Sequence, residues 1–275
     1  MAAAPLRCSS VLITGCSRGL GLGLVKGLAE APNSPDLIIA TCRQPEAAQE
    51  LQELSKRYHN IRILLLDIVS EESRQKLVKE VGELVGAQGL NCLINNAGRN
   101  ISASLDNVTA ETMLQVYETN TVAQLMMTKA FLPLLKQAAK QSSGMGWHRA
   151  LIVNVSSISA SIQLVQEKEI FLMVYPYRIS KTALNMLTKC LAADLKEDGI
   201  LCISLHPGWL QTDMGGKQVS DLTQTETAPW YPEPDGEKAP MKVEESVPSI
   251  VSLLARLGEK DNGCFLDWKG NTIPW

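Results

Sequence analysis

The sequence predicts an α/β protein built on one doubly wound parallel sheet, and three observations lead to this fold class. Short apolar runs alternate with longer segments whose apolar residues recur every three or four positions, the spacing of amphipathic helices. The short runs are apolar almost throughout, as expected for parallel strands covered on both faces. No change of composition divides the chain, so we expect one domain over residues 1–275.

The elements follow one another in strict alternation. A polar insertion, 214–243, precedes the last helix, and we expect it to cover the substrate. The expected strands are 11–13, 37–41, 61–66, 90–94, 150–155, 200–205 and 264–266. The expected helices are 20–30, 46–57, 70–85, 109–140 with a break near Asn120, one that begins near Tyr177, and 244–257.

Composition excludes several classes of function. The net charge of −3 provides no basic field for nucleic acid. The seven cysteines show no C-x-x-C spacing, which argues against a disulfide framework or a metal site and for reduced thiols in the cytoplasm. No apolar run approaches the roughly 18 residues of a membrane span. We therefore expect neither a membrane nor a nucleic acid as partner.

The glycine-rich stretch after the first strand predicts a dinucleotide site in a fold of the Rossmann type. Gly15, Gly19 and Gly21 stand between a strand and a helix, where the backbone can approach a pyrophosphate and the helix N-terminus favours an anion. A tight turn without a ligand is the alternative. The segment that we expect to bind comprises Gly15, Ser17, Arg18, Gly19, Leu20 and Gly21.

The end of the second strand favours NADPH over NADH. A carboxylate at this place holds the ribose 2′-hydroxyl, whereas an arginine accommodates a 2′-phosphate. Here the chain reads Thr41-Cys42-Arg43, and Arg18 lies in the glycine loop. Two cations without an anion favour the phosphorylated cofactor.

Three further strand ends carry candidate residues with open alternatives. Asp67 would lie at the adenine or cap the next turn. The Asn95 to Gly98 stretch would contact the cofactor or only end its strand. Either Ser156 or Ser157 faces the cleft, because side chains alternate along a strand.

Tyr177 is the candidate proton donor, and Lys181 is the cation that we expect to act on its pKa. Residues four apart share one face of a helix, so the phenol and the ammonium would look into the same space. A nearby cation favours the ionised phenol, and we expect Lys181 to lower the pKa of Tyr177. A solvated helix turn is the alternative. His206 has no partner arranged for catalysis, and we expect its hydrogen bonds to be satisfied within the protein.

Together these motifs resemble the short-chain dehydrogenase/reductase family over nearly the whole chain, and within it the Sniffer- and C-factor-like carbonyl reductases. The resemblance implies that Tyr177 protonates the substrate carbonyl, that Lys181 holds the nicotinamide ribose, and that Asn120 positions a water behind Lys181. It also selects Ser157 over Ser156 as the residue that binds the substrate oxygen. The cofactor residues that it implies, beyond the glycine loop, are Arg43, Asp67, Ile68, Asn95, Ala97, Gly98, Tyr177, Lys181, Pro207, Gly208, Leu210 and Thr212.

The sequence thus predicts an NADPH-dependent carbonyl reductase acting on a small ketone, aldehyde or quinone. A nucleotide-sensing module with incidental turnover and an NAD-linked alcohol dehydrogenase are the alternatives. The family often pairs through the helices around 120–140 and 177–195, and apolar residues there permit a homodimer or homotetramer without requiring one. Between Ser157 and Tyr177, residues 163–175 are expected to form an extra loop beside the cleft.

Overall fold

The computed structural model describes residues 7–166, 175–215 and 239–275. Seven parallel strands form one sheet in the order β3-β2-β1-β4-β5-β6-β7. The predicted doubly wound, Rossmann-type sheet is therefore confirmed. Most of the extra loop expected at 163–175 and of the covering segment expected at 214–243 lies outside the described residues.

The strands match the predicted runs to within two residues at each end. Their bounds are β1 Ser10–Thr14, β2 Leu37–Cys42, β3 Ile61–Leu65, β4 Cys92–Asn95, β5 Leu151–Val155, β6 Leu201–His206 and β7 Phe265–Asp267. The fourth strand begins two residues later than predicted, because Asn91 uses its side chain instead. Its Oδ1 accepts from the Ser10 amide at 3.2 Å, and its Nδ2 donates to the carbonyls of His148 and Arg149, just before β5.

The helices cover both faces of the sheet. Their bounds are α1 Gly19–Glu30, α2 Gln49–Arg57, α3 Glu71–Val85, α4 Ala110–Tyr117, α5 Ala123–Ala139, α6 Tyr175–Asp194 and α7 Val243–Arg256. One turn of π-helix, Glu118–Val122, joins α4 to α5 and confirms the predicted break near Asn120. Ser70 caps α3 by accepting from the Ser73 amide, as its position before the helix predicted.

Two buried apolar clusters lie on opposite faces of the sheet. One is built on α1, α7 and β1, and the other on α3, α5 and β4. Among the described residues, none of the helices combines the length and the apolar run that crossing a bilayer requires. The strand order reverses between β1 and β4, so a crevice opens there at the carboxyl edge of the sheet, where α/β sheets bind ligands.

Candidate active site

The glycine loop runs from β1 into α1 in a conformation that other residues adopt with strain. Gly15 and Gly19 have φ of +74° and +58°. A Cβ on Gly21 would lie 2.2 Å from the Gly15 carbonyl oxygen, so this helix can approach the loop only with glycine. The first turn of α1 has no acidic residue, and Arg18 at its N-cap makes no capping hydrogen bond. The helix N-terminus therefore offers its amides and dipole to an anion.

Asn96, which belongs to the predicted Asn95 to Gly98 stretch but is not among the predicted cofactor residues, holds this loop in place. Its Nδ2 donates to the carbonyl oxygens of Thr14 and Gly15 at 2.7 and 3.2 Å. The Thr14 hydroxyl accepts from the amides of Asn96 and Ala97 at 3.0 and 2.9 Å. Two consecutive asparagines at a strand end were the available signal, because neighbouring side chains there point in opposite directions.

The Asn95 side chain points away from the crevice, and the cofactor contact predicted for this residue stays a prediction. The residue is 1% exposed, and its Nδ2 donates to Asn154 Oδ1 at 2.8 Å and to Thr128 Oγ1 at 3.2 Å. These bonds tie β4 to β5 and α5. Asn95 therefore stabilises the carboxyl ends of β4 and β5 from the interior of the protein.

The structure separates the two serines after β5. Ser156 is buried, and its hydroxyl donates to Asn185 Oδ1 at 2.7 Å. Ser157 is partly exposed; its hydroxyl accepts from the Ser159 amide at 3.2 Å, and it lies close enough to Tyr177 to act on the pKa of the phenol. Ser157 is the serine that shares the site with the phenol.

Tyr177 and Lys181 lie on one face of α6, as their spacing predicted. Lys181 is 4% exposed, its Nζ lies 5.7 Å from the Tyr177 ring centroid, and it donates to the Val155 carbonyl at 2.6 Å. Burial lowers the pKa of Lys181 to about 8. Burial also raises the pKa of Tyr177 to about 12, while its hydrogen bond to Ser157 acts in the opposite direction.

The net pKa of Tyr177 is raised in this structure, whereas the sequence led us to expect that Lys181 lowers it. Desolvation disfavours the phenolate and is the larger effect. Tyr175, two residues earlier, is 38% exposed at the start of the helix.

Asn120 lies in the π-helical turn and is fully buried beside Lys181. Its Oδ1 accepts from the Arg99 amide at 2.7 Å, and its Nδ2 donates to the Arg99 carbonyl at 2.8 Å and to Ser180 Oγ at 3.0 Å. A Cβ on Gly98 would lie 3.4 Å from Asn120 Oδ1 and 3.8 Å from Lys181 Nζ. Gly98 therefore lets Asn120 and Lys181 meet at the edge of the crevice.

The segment after β6 approaches the glycine loop from the other side. Pro207 is buried and its carbonyl accepts from Ser246 Oγ at 2.5 Å, while Gly208 has φ of +93°. Thr212 Oγ1 accepts from the Gly215 amide at 3.1 Å. Its methyl group would lie 3.4 Å from a Cβ on Gly19, so the two segments nearly touch. The remaining predicted residue, Leu210, is buried and pairs with Met241 as an isolated bridge.

The residues predicted for the adenosine end lie at the ends of β1, β2 and β3. Arg18 Nη1 forms an ion pair with Asp213 Oδ2 at 3.0 Å, and Arg43 is exposed directly after β2. Asp67 Oδ1 accepts from the Val69 amide at 3.2 Å, so the capping alternative is realised in this structure. Ile68 is buried in the core under this edge.

His206 departs from its predicted role as a satisfied histidine. Its Nδ1 is buried without a hydrogen-bond partner among the described residues. Burial lowers its pKa to about 4, while the charge of Asp267 acts in the opposite direction. Cys16, in the glycine loop, is fully buried, and burial raises its thiol pKa far above the ordinary value, which excludes a nucleophilic thiolate.

Among the described residues, no group of three His, Cys, Asp or Glu side chains could ligate a metal ion. The site instead consists of a glycine cradle and a cluster of Ser157, Tyr177, Lys181 and Asn120. These two parts lie at the same edge of the sheet, on opposite sides of the point where the strand order reverses.

Comparison with known proteins agrees with this arrangement. Residues 9–223 match the family model of the short chain dehydrogenases. An uncharacterized oxidoreductase of Schizosaccharomyces pombe is 30% identical over 268 residues, which cover 96% of each chain.

Two solved structures are more similar. The carbonyl reductase Sniffer of Drosophila melanogaster is 43% identical with a TM-score of 0.86, and an NADPH-bound carbonyl reductase from chicken fatty liver is 41% identical with the same TM-score. Each alignment covers 98% of this chain and all of the other. The chain belongs to the short-chain dehydrogenase family and is an oxidoreductase of that family.

Proposed function

We propose that this protein is an NADPH-dependent carbonyl reductase that reduces small ketones, aldehydes or quinones. The observation that carries the proposal is that Tyr177 and Lys181 lie beside the end of β5 that carries Ser157: Lys181 Nζ donates to the Val155 carbonyl at 2.6 Å and lies 5.7 Å from the Tyr177 ring centroid. Two hydroxyl groups that can contact one substrate oxygen are what carbonyl reduction requires of the protein. The similarity to two carbonyl reductases, one of them bound to NADPH, supports it.

The chain offers a suitable cradle for the cofactor. The uncapped first turn of α1 provides amides for a diphosphate, and the glycines leave its backbone accessible. Arg43 makes no ion pair or hydrogen bond within the described residues, so its charge is available for a 2′-phosphate. When bound there, NADPH would supply the hydride from its reduced nicotinamide.

The side chains of the site would handle the proton. Ser157 would donate a hydrogen bond to the substrate oxygen and hold it beside the phenol. The hydroxyl of Tyr177, whose pKa burial raises to about 12, carries its proton at neutral pH, and a nearby cation would make that proton easier to donate. Lys181 would bind the nicotinamide ribose and favour the phenolate that forms. Asn120, adjacent to Lys181, would position the water from which Tyr177 is reprotonated.

The roles of the remaining predicted residues follow from their places at the edge. Asp67 and Ile68 would contact the adenine, and the segment from Pro207 to Thr212 would contact the nicotinamide. An NAD-linked alcohol dehydrogenase is less well supported, because the end of β2, Thr41-Cys42-Arg43, has no carboxylate to bind a free 2′-hydroxyl.

A nucleotide-sensing module would need the glycine cradle but not a buried lysine behind a phenol. Burying Lys181 costs free energy, as its lowered pKa shows. The complete Ser157, Tyr177 and Lys181 arrangement therefore favours an enzyme over a binding module.

We further propose that two copies associate through α4 and α6. Large apolar side chains on these helices are exposed, with Leu114 at 68% and Met186 at 65%. Their burial in a homodimer or homotetramer would remove this surface from water. All seven cysteines are unpaired, which agrees with a reducing compartment such as the cytoplasm.

The test is loss of NADPH absorbance in the presence of an α-diketone or a quinone. Removing the proton donor with Tyr177→Phe should lower kcat by about 10²- to 10⁴-fold. NADPH affinity, measured by fluorescence titration, should change little. Tyr175→Phe is the matched control, because it removes an exposed phenol from the same helix and should leave kcat unchanged. Near-normal turnover by Tyr177→Phe would refute the mechanism.

A further inference from the structure

An ion pair joins the two segments that face each other across the cofactor crevice. Arg18 belongs to the glycine loop and Asp213 to the segment after β6, and their Nη1 and Oδ2 atoms lie 3.0 Å apart. The neighbouring residues also approach, since the Thr212 methyl group would lie 3.4 Å from a Cβ on Gly19. Arg18 thus reaches out of its own loop toward a carboxylate.

The two arginines that we assign to the 2′-phosphate therefore differ. Arg43 has no carboxylate partner among the described residues, whereas Arg18 has Asp213. A guanidinium that is paired with a carboxylate gains less from a phosphate, because the phosphate must displace or share that partner. The 2′-phosphate and Asp213 are both anions, so any sharing adds repulsion between them.

We propose that Asp213 is a specificity-determining residue that competes with the 2′-phosphate of NADP(H) for Arg18. This inference rests on the proposed function. It implies that NADP(H) binding exchanges one anion for another at Arg18, while NAD(H), which lacks the phosphate, leaves the ion pair undisturbed. Asp213 therefore weakens NADP(H) binding without weakening NAD(H) binding.

The size of the effect follows from the exposure of the pair. The Arg18 side chain is 75% exposed and that of Asp213 is 35% exposed, so solvent screens their attraction. Exposed pairs of this kind change an equilibrium by roughly two- to fivefold. A larger change would imply contacts beyond this pair.

The decisive experiment measures dissociation constants by isothermal titration calorimetry for wild type and Asp213→Asn. Four ligands form two pairs that differ only in the 2′-phosphate: NADP⁺ with NAD⁺, and adenosine 2′,5′-bisphosphate with adenosine 5′-monophosphate. We expect Asp213→Asn to bind NADP⁺ and the bisphosphate about two- to fivefold more tightly. The affinities for NAD⁺ and the monophosphate should be unchanged.

Two variants serve as controls. Asp213→Glu keeps the charge and should retain the wild-type ratio of affinities. Asp198→Asn removes the same charge from another ion pair, that with Lys136 at 2.8 Å, whose carboxylate is 34% exposed. Asp198 lies near the amino end of β6, at the opposite edge of the sheet, so Asp198→Asn should leave all four affinities unchanged.

A double-mutant cycle locates the effect on the ion pair. In an Arg18→Gln background, Asp213→Asn should no longer tighten NADP⁺ binding, because no guanidinium remains to be released. Persistence of the full effect in that background would show that Asp213 acts through general charge repulsion and would overturn the competition.

The outcomes separate this inference from the proposed function. Failure of wild type to bind NADP⁺ would refute the proposed function. Normal NADP⁺ binding by wild type with unchanged or weaker binding by Asp213→Asn would refute the competition alone. Equal weakening of NADP⁺ and NAD⁺ would show instead that the ion pair closes over the part of the cofactor that both share.

Discussion

The two faces of the sheet are built from different interactions, although the same strands supply both. Along β5 and β6, side chains that point toward α1 and α7 are apolar from one end to the other. Those that point toward α6 are apolar near the amino ends and polar near the carboxyl ends. The first set is Leu151, Val153, Val155, Leu201, Ile203 and Leu205; the second is Ile152 and Cys202, then Asn154, Ser156, Ser204 and His206.

The polar half of the α6 face is a connected hydrogen-bond network below the catalytic residues. Thr188 accepts from Asn154 Nδ2 at 2.9 Å and from Ser204 Oγ at 2.8 Å, and donates to the Leu184 carbonyl at 2.9 Å. On the other face, contact depends on shape. A Cβ on Gly27 of α1 would lie 2.3 Å from a methyl group of Val247 in α7.

The difference shows what each half of the site requires. A diphosphate cradle needs a helix packed closely against a loop, and non-directional apolar contacts are sufficient to hold the two together. Proton transfer needs particular atoms at particular places, and hydrogen bonds supply that direction. The strand ends that carry Ser157 and the Val155 carbonyl are held by the network on the α6 face.

The largest expected effect comes from the two neighbouring serines. Ser157→Ala should lower kcat/KM by about 10²- to 10³-fold, because it removes a donor to the substrate oxygen, and it should leave the free energy of unfolding nearly unchanged. Ser156→Ala should do the opposite. It leaves the buried Asn185 Oδ1 without its donor and should cost about 1–3 kcal/mol of stability. Steady-state kinetics and urea unfolding of both variants check this contrast. If both variants lost activity and stability to the same extent, the two serines would not have different roles.

The next effect tests whether direction outweighs shape on the α6 face. Thr188→Val keeps the volume but leaves two buried donors, Asn154 Nδ2 and the Ser204 hydroxyl, without acceptors. We expect a loss of roughly 2–4 kcal/mol in the free energy of unfolding. Thr188→Ser keeps the hydroxyl and loses only a methyl group, and should cost about 1 kcal/mol. A reversed order would show that packing dominates on this face too.

His206 should make the stability of the protein fall in mild acid. Its folded pKa of about 4 lies below the unfolded value of 6.5, so neutral His206 contributes stability that is complete above pH 6.5. That contribution, up to roughly 3 kcal/mol, is lost as the pH falls through 4. His206→Gln should flatten the pH profile of urea unfolding between 6.5 and 4 relative to wild type. The control is His59→Gln, which removes an exposed imidazole; an equally steep profile for His206→Gln would contradict the assignment.

The smallest effects concern shape on the α1 and α7 face. Gly27→Ala places a methyl group against Val247, which is 4% exposed, and overpacking of this kind costs roughly 1–3 kcal/mol. Gly82→Ala in α3 is the matched control, because no heavy atom lies within 4 Å of its added Cβ. It should stabilise the protein by about 0.5–1 kcal/mol through helix propensity. Thermal unfolding of both variants measures the difference in stability. If α1 and α7 can move apart to accommodate the added methyl group, Gly27→Ala will not be destabilised relative to Gly82→Ala.

Much of the fold could be predicted because its signals are local. Each signal depends only on residues that are close in sequence. The signals are apolar runs of the length of a strand, glycines with a particular spacing and a capping serine. The errors in element bounds have a local cause as well. Asn91 lies outside β4, and its side chain forms hydrogen bonds to β1 and to the residues just before β5. No pattern within its own segment predicts these bonds.

The sequence predicted which residues belong to the candidate site better than it predicted how their side chains are arranged. Gly15, Ser157, Tyr177 and Lys181 could be named from spacing and resemblance, and the structure brings the last three together. The structural bonds of Asn95 and Asn96 could not be predicted, because they run to segments that are far away in sequence.

By itself, the sequence determined the order of strands and helices, the glycine loop and the four-residue spacing of the phenol and the amine. These depend on backbone preferences and on side-chain periodicity along one segment. Only the tertiary structure decided that Ser156 is bonded to Asn185, that burial raises the pKa of the phenol, and that Arg18 is already paired with Asp213. The physical reason is that solvation and charge pairing depend on distances between residues remote in sequence, and folding alone sets those distances.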